Sequence, residues 1–541
     1  MKRTLSKYIS EYEMDDRTVG LFSSVFMTKK FIDRESWSKV KRSHDFTGIP
    51  AAHVEYLEDG GMIVVEGEDE GRLDELRAGR AMCPSIEVLY LFVTNTCNMR
   101  CKYCVVDKEH AQTATGSFMT EEIAGEALEL FLANTKTEKP AIQLWGGEPL
   151  SNWVVFEFAV ERARELESKY SKAIDISAVT NGTLLTKEIA AFLKRNRVRC
   201  SISVDGLKEQ HDAMRVYADG RGTYGDIRNN LKLLEDAGVG FGVSLAIGAH
   251  NVDLLPAVGR DLCRALAIKH IGTCLLMKVD TANPAHTSEV RAARQLIELF
   301  KTLSQDGIFE DTMMKKVRSF AFAEAHLHDC AAGGRQIAVM PNGDIGICHY
   351  AATAGRWIIG NVRDAPEGVF CNTELADWAR RSPINMPQCS QCPGLVMCGG
   401  GCPYEAHEKK GDLWELDERF CTHCKESIKW MMEETYKRRG PTKAGDSAVL
   451  MKMKDVVAQS GFTRAFMPPV RETAATVTDA ELQRTADAFR RRHGLTSAEA
   501  TRAWMRRHGI TMKFFEEFLE SCVLLGLYGE RPEEEAHSHP V

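Results

Sequence analysis

The sequence predicts an α/β protein built on an open, partial barrel of six strand–helix units. A small α+β module precedes the barrel, and a compact cysteine-rich domain and a helical C-terminal domain follow it. Three observations carry this reading. From residue 86 to about residue 303, short apolar runs alternate with segments of helical period, the pattern of parallel strands joined by right-handed crossovers. Cys97, Cys101 and Cys104 form one spaced group, and Cys330, Cys348, Cys389, Cys392, Cys398, Cys402 and Cys421 form another. Beyond residue 440 a near-repeat of helix-ending signals appears.

Composition sets the outer limits. At 541 residues the chain exceeds one ordinary core, and two to four domains follow at roughly 150 residues each. With 44% hydrophobic and 27% charged residues it has the balance of a soluble globular protein. No run approaches the ~18 to 20 uninterrupted apolar residues that a membrane span needs. Met1-Lys2-Arg3 leads into polar Thr4, Ser6 and Lys7 without the apolar stretch of a signal peptide. The expected location is therefore the cytoplasm, with no membrane partner. A net charge of -7 favours solubility and argues against a nucleic-acid partner. In a reducing compartment 17 cysteines point to metal or cluster binding rather than to a disulfide framework.

In chain order, residues 1–85 read as the α+β module. Residues 19–32 suggest a strand or hairpin arm, 35–42 and 51–57 short helices, and Gly60-Gly61 a turn into the apolar run 62–65. Residues 66–75 are strongly acidic and are expected at the surface. The barrel unit, 86–305, has strand candidates at 86–93, 141–145, 174–179, 198–204, 241–247 and 268–276. Its helix candidates lie near 120–134, 151–170, 186–196, 224–237, 253–266 and 287–303. Functional residues in such a barrel belong at the C-terminal ends of the strands.

The first cysteine group sits at the end of the first strand, in Cys97-Asn98-Met99-Arg100-Cys101-Lys102-Tyr103-Cys104. Three thiolates at this spacing can hold three corners of a [4Fe–4S] cluster, and the missing fourth leaves one iron open. A structural zinc would want a fourth ligand nearby, for which His110 is the closest candidate.

This C-x3-C-x2-C run, with an aromatic residue before its last cysteine, resembles the radical S-adenosylmethionine superfamily. The resemblance implies a (β/α)6 partial barrel in which Cys97, Cys101 and Cys104 carry the catalytic cluster. S-adenosylmethionine chelates the open iron, and its reductive cleavage gives a 5′-deoxyadenosyl radical that takes a hydrogen atom from substrate. By the same resemblance Tyr103 lies beside the adenine, and Gly146-Gly147-Glu148-Pro149 holds the amino end of S-adenosylmethionine. Thr180, Asn181, Ser203, Asp205 and Arg215 resemble the positions that contact its ribose and carboxylate. Each of these polar residues also suits an ordinary turn or cap.

The second group reads C-x12-G-x4-C, then C-x2-C-x5-C-x3-C, then Cys421, with a hairpin turn at Pro341-Asn342-Gly343-Asp344. Residues 306–440 are thus a linker and a small domain held by metal; two zinc sites are the rival on chemistry alone. The spacing looks like the SPASM subfamily, whose extra domain binds two auxiliary [4Fe–4S] clusters, three in all with the catalytic one. That resemblance implies that Cys389, Cys392, Cys398 and Cys421 hold the distal cluster, with Cys424 an alternative to Cys421. Cys330, Cys348 and Cys402 hold the proximal one. Either His326, His328 or Asp329 completes the proximal set, or an iron is left for substrate. Cys83, Cys200, Cys263, Cys274, Cys371 and Cys522 are expected to be small buried hydrophobes.

Residues 441–541 form the helical domain. Gly440-Pro441 breaks the preceding helix and Met467-Pro468-Pro469 marks a linker. Arg491-Arg492-His493-Gly494-Leu495-Thr496 is echoed by Arg506-Arg507-His508-Gly509-Ile510-Thr511. Each copy reads as a basic last turn, a C′ glycine and a threonine cap. Thr478 with Glu481 and Thr496 with Glu499 suggest capping boxes. The end of the chain, 530–541, with His537 and His539, is expected to be disordered.

The expected function is that of a radical S-adenosylmethionine peptide maturase acting on a ribosomally made precursor peptide, with a flavodoxin or ferredoxin as reductant. In enzymes of this resemblance the N-terminal module often recognises the leader as an added strand; a cap on the barrel is the other reading. An anaerobic sulfatase-maturating enzyme and a zinc-binding scaffold are the alternatives. The bond formed is not legible, because the cofactor carries the hard chemistry.

Overall fold

The computed structural model describes residues 2–43, 45–78, 84–104, 106, 117–276, 285–443, 445–467 and 477–527. Cys83, His110, Pro468, Pro469 and the segment 530–541 with His537 and His539 lie outside them.

The N-terminal module holds five strands. β1 (Arg3–Leu5) pairs antiparallel with β5 (Ile63–Val65), and β2 (Ile9–Glu13), β3 (Thr18–Ser23) and β4 (Lys29–Asp33) form an antiparallel sheet in that order. Three helices complete it: α1 (Arg34–Arg42), α2 (Ala51–Asp59) and α3 (Glu68–Ala78). The expected hairpin arm is β3–β4. β1 and β2 were not legible, since both are short and mostly polar. The acidic stretch forms α3 rather than a plain surface loop, and Ser6 donates to its buried Asp69 at 2.9 Å. Successive residues of β3 point to opposite faces. Val19 and Leu21 pack with Trp37, Val40 and Leu57, while Phe22 and Phe31 join the main core.

The centre is one ten-stranded sheet. β6 (Val88–Thr94), β7 (Ala141–Gly146), β8 (Asp175–Thr180), β9 (Val198–Ser203), β10 (Phe241–Ile247) and β11 (His270–Leu275) run parallel in sequence order, and β12 (Phe309–Glu310) extends the far edge. Between them lie α4 (Glu121–Asn134), α5 (Trp153–Tyr170), α6 (Lys187–Arg195), α7 (Lys208–Met214), α8 (Tyr224–Ala237), α9 (Leu255–Ala265) and α10 (Glu289–Gln305). Leu89, Leu91 and Val93 of β6 are fully buried; each such side chain contributes about 1.5–3 kcal/mol by leaving water. The sheet does not stop at β6. After α11 (Asp311–Phe322), β13 (Gln336–Val339) pairs parallel with β6, and β14 (Asp344–Gly346) and β15 (Ile358–Asn361) follow antiparallel. Gly343, at φ +88°, makes the expected β13–β14 turn.

The second cysteine group occupies α12 (His349–Thr353), α13 (Pro366–Phe370), α14 (Thr373–Arg380), α15 (Pro403–Lys410) and the loops around them, closing with α16 (Glu418–Arg439). Gly440, at φ +72°, ends α16. The remaining described chain is helical: α17 (Ala448–Phe466), α18 (Asp479–Arg492), α19 (Ala498–Arg507) and α20 (Met512–Leu524). The Thr478–Glu481 capping box is present. The second is not: Ser497 caps α19, accepting from the Ala500 N–H at 3.0 Å, because the chain turns into the helix one residue later than Thr496. Among the described residues no helix is long and apolar enough to cross a membrane.

Candidate functional site

The Cys97 loop leaves β6 and is held on both sides by backbone. Residues 94–96 pass so close to the end of β7 that a Cβ on Gly146 would meet Thr94 O at 2.2 Å, and one on Gly147 would meet Thr96 O at 2.4 Å. The Gly147 and Glu148 N–H groups donate to Thr94 O and Thr96 O, each at 2.9 Å. The two glycines therefore serve the approach of the cysteine loop itself. On its other side Arg100 N–H donates to Val216 O at 2.8 Å and Lys102 N–H to Met214 O at 3.0 Å.

Glu148 braces two strand ends from a fully buried position. Its Oε1 accepts from Leu150 N–H at 3.0 Å and from the Thr180 hydroxyl at 2.7 Å, and Oε2 accepts from Asn181 N–H at 2.7 Å. Burial pushes its pKa up to about 7 despite these bonds. Pro149 begins the short 3-10 turn that follows, its side chain buried.

Asp205, just past half-buried Ser203 at the end of β9, is the hub of a second buried group. Its carboxylate accepts from the Tyr103 hydroxyl, from Arg215 Nε at 3.0 Å and from Ala246 N–H at 3.1 Å. His250 Nε2 lies 3.7 Å away. The Arg215 guanidinium sits over the Tyr103 ring, 5.4 Å from its centroid. Burial alone would raise the Asp205 pKa; Arg215, His250 and Tyr103 outweigh it and hold the carboxyl well below its usual range.

Cys97, Cys101 and Cys104 are half-buried at the mouth of the strands. Burial pushes Cys97 up to about 11 and Cys101 up to about 12; Cys97 also feels Cys104, and Cys101 feels both Cys104 and Cys97. Three thiols at one strand mouth, each able to ligate as a thiolate, are the donor set that a [4Fe–4S] cluster takes. Among the described residues no three His, Cys, Asp or Glu side chains converge tightly enough for a single ion. A cuboidal cluster asks for a wider ring, because each thiolate meets its own iron.

The second group divides in two. Burial, then Cys348 and Cys330, raise the Cys402 thiol well above its usual range, so these three share one neighbourhood. Cys421 feels Cys398, Cys389 and Cys392, while Cys424 donates to Cys398 and draws it down to about 7. Both Cys421 and Cys424 thus face the distal set. The candidate fourth proximal residues are engaged elsewhere. His328 Nε2 lies 2.8 Å from Ala379 O, and Asp329 pairs with buried Lys316 at 3.1 Å and with His326 at 3.4 Å.

Cys330 and Cys274 are exposed. Cys371 is also exposed, so it and Cys274 depart from the expected buried hydrophobes; Cys200, Cys263 and Cys522 are buried. Sequence reasoning also missed an aromatic wall. His349 stacks on Tyr90 at 4.4 Å and lies 5.0 Å from Trp145 and 4.2 Å from Tyr350. Burial, then Cys274, Tyr90, Cys348 and Cys104, push the Tyr350 phenol well up, so Tyr350 lies near both Cys104 of the first trio and Cys348. Its signal was the alternation along β6 and β7, where Tyr90 and Trp145 fall on the face away from the helices.

Comparison with known proteins decides the family. The Radical SAM superfamily model matches residues 91–254, and the model of the SPASM iron-sulfur cluster-binding domain matches residues 330–393. The chain belongs to the radical S-adenosylmethionine superfamily. As a radical SAM enzyme with a SPASM domain it uses S-adenosylmethionine and [4Fe–4S] clusters, auxiliary ones included. The radical SAM cyclopropyl synthase TigE of Paramaledivibacter caminithermalis is 24% identical over 475 residues, 79% of this chain and 95% of that protein. A cysteine-type anaerobic sulfatase-maturating enzyme of Clostridium perfringens is 22% identical over 369 residues, 64% of this chain and 96% of the relative. The solved structure of native anSMEcpe with bound AdoMet and Kp18Cys peptide superposes with a TM-score of 0.57 at 20% identity, covering 64% of this chain and 97% of that one. That likeness shows the fold.

Proposed function

We propose that this radical SAM maturase modifies a side chain of a ribosomally made precursor peptide in the cytoplasm, reduced by a flavodoxin or ferredoxin. Cys97, Cys101 and Cys104 would hold the catalytic cluster, Cys330, Cys348 and Cys402 the proximal auxiliary cluster, and Cys389, Cys392 and Cys398 with Cys421 or Cys424 the distal one. Domains at 1–85, 86–305, 306–440 and 441–541 go with this assignment. When bound, these groups supply a hydrogen-abstracting 5′-deoxyadenosyl radical and, in the auxiliary domain, an electron acceptor.

The observation that carries the reading is the aromatic wall of Tyr90, Trp145, His349 and Tyr350, in which Tyr350 lies near both Cys104 of the first trio and Cys348. A substrate side chain lodged there is in reach of both, and the wall excludes water from it. The proximal set offers three cysteines, and the candidate fourth residues His326, His328 and Asp329 have other partners, which suits a substrate or acceptor role. The TigE match takes in 79% of the chain and the sulfatase-maturase match 64%. This favours a peptide maturase over sulfatase maturation, and a ring closure between two carbons is the first product class to test.

The N-terminal sheet supports a peptide substrate further. In antiparallel pairing only alternate residues bond to the partner strand. Ser24 N–H donates to Tyr8 O and Met14 N–H to Thr18 O, so Ile9, Glu11 and Glu13 of β2 turn their backbone groups outward. No hydrogen bond among the described residues takes those groups. An extended leader segment is complementary to such an edge. The test is anaerobic reaction of reconstituted enzyme with the peptide encoded beside its gene, following 5′-deoxyadenosine and peptide mass. Expected are three clusters' worth of iron and sulfide and a peptide lighter by two hydrogens; zinc without iron would end the reading.

A further inference from the structure

Asn181, just past the end of β8, has its backbone N–H and both side-chain polar atoms committed. Its backbone N–H donates to Glu148, and its Oδ1 accepts from the Thr183 N–H at 2.9 Å and the Thr183 hydroxyl at 2.6 Å. A backbone N–H can only donate, so the oxygen must face Thr183, and the side-chain amide is fixed without flip ambiguity. Nδ2 therefore points the other way. One of its hydrogens meets Asn98 Oδ1 at 2.9 Å, and Nδ2 lies 3.8 Å from Cys97 Sγ. Asn98 Nδ2 donates in turn to the Thr183 hydroxyl at 2.8 Å. Asn181, Asn98 and Thr183 thus close a ring in which each side chain donates to the next.

The ring ties the cysteine loop to the barrel, because Asn98 belongs to the loop and Asn181 and Thr183 to the end of β8. Asn230 of α8 holds the far side, donating to Gly182 O at 3.0 Å and Thr183 O at 3.1 Å. Cys97 Sγ also accepts from Met99 N–H at 3.4 Å. Asn181 is 7% exposed, so the donor end of this contact is buried.

We infer that Asn181 is a positioning residue whose amide donates to the Cys97 thiolate, fixing that corner of the catalytic cluster and making the cluster easier to reduce. The inference rests on the assignment of Cys97 as a cluster ligand. Its physical basis is that a donor to a ligating sulfur stabilises the extra negative charge of the reduced state. It gives Asn181 to the sulfur rather than to the ribose, for which the amide has no donor or acceptor left over.

The test is an EPR-monitored redox titration of the full-length reconstituted enzyme, with the catalytic signal identified as the one lost in Cys97→Ala. Survival of all signals in Cys97→Ala would overturn the ligand assignment itself, separately from the role of Asn181. Asn181→Leu removes the amide at similar volume. The expected result is a roughly tenfold weaker reduction, about 59 mV more negative for one electron, with S-adenosylmethionine affinity by equilibrium dialysis within about twofold of wild type. Loss of the catalytic iron alone, with auxiliary iron and fold retained, also supports the role. An unchanged potential with weakened S-adenosylmethionine binding would overturn it in favour of a ribose contact. Thr183→Val breaks the ring but leaves the Thr183 N–H to orient the amide, so its potential should stay near wild type. If Thr183→Val shifts the potential as far as Asn181→Leu, the amide-to-sulfur bond is not the cause.

Discussion

The Thr442 hydroxyl donates to the backbone carbonyl of Phe31 at 2.8 Å, and the Tyr56 hydroxyl accepts from the N–H of the same residue at 3.1 Å. Phe31 is the central outward-facing residue of β4, so side chains from α2 and from the segment after α16 close that edge of the N-terminal sheet. Within this three-stranded sheet, among the described residues, β2 keeps an open edge. Asp455 of α17 secures the closure, accepting from Tyr56 at 3.0 Å and pairing with Lys30 and Arg439.

Proline at Glu11 should therefore block peptide binding without unfolding the sheet. The Glu11 N–H faces outward, so proline deletes an edge donor while the β2–β3 ladder survives. We expect Glu11→Pro to lower affinity for the precursor peptide at least about tenfold, roughly the 1.4 kcal/mol of one well-made backbone bond. Glu11→Ala should bind like wild type, and S-adenosylmethionine cleavage without peptide should be unchanged in both. Equal binding by Glu11→Pro in fluorescence anisotropy would exclude the β2 edge.

A methyl group at Gly147 should dislodge the cysteine loop. Its Cβ would fall 2.4 Å from Thr96 O and 2.7 Å from Asn95 O, both backbone atoms that no rotamer change can move. Gly147→Ala should cost about 2–3 kcal/mol or more and lower iron content, read by urea unfolding and iron analysis. Wild-type stability would mean that the two strand ends are not so close.

Removing the charge of Asp205 should leave Arg215, whose side chain is 13% exposed, without its partner. Breaking such a buried pair from one side costs about 3–5 kcal/mol. Asp205→Asn should melt well below wild type, and Asp205→Asn with Arg215→Met should regain part of the loss. Additive losses in that cycle would show that the pair is not coupled.

Most of the barrel was legible because its strands and helices announce themselves by period. The grouping of the cysteines was legible because their spacing is local. What was hidden depends on contacts between distant segments. The internal bracing by Glu148 and Asp205 is one such feature: the oxygens of fully buried Glu148 accept from Thr180 and Asn181, and those of fully buried Asp205 from Tyr103 and Arg215. The wall around His349 needs three segments to meet, β6, β7 and α12, and no local pattern encodes that meeting. β2 was missed because Glu11 and Glu13 flank Tyr12, with Glu11 on Lys41 of α1 and Tyr12 on the core, which dilutes its hydrophobic signal.

Stability should rise with pH through the neutral range because of Lys29. Burial pushes its ammonium down to about 7, against the opposing field of Asp455 and with that of Lys30. Its Nζ donates to Phe320 O at 2.9 Å. Between that value and the unfolded lysine value of about 10.4, the unfolded chain holds a proton that the folded chain does not, so unfolding becomes harder as pH rises. Lys29→Met should be more stable than wild type at pH 7, and the gap should narrow towards pH 10 in denaturant titrations. A pH-independent difference would mean that Lys29 stays charged when folded.

The separation of hydrogen abstraction from product formation is the centre of the account, and Cys402 tests it most directly. Cys402 shares its neighbourhood with Cys330 and Cys348, away from the Cys97 loop. Cys402→Ala should be made anaerobically, checked for fold and iron, and assayed for 5′-deoxyadenosine and modified peptide together. The predicted result is a folded enzyme that still cleaves S-adenosylmethionine but forms little product; full product yield from a variant shown to lack the proximal cluster would contradict it.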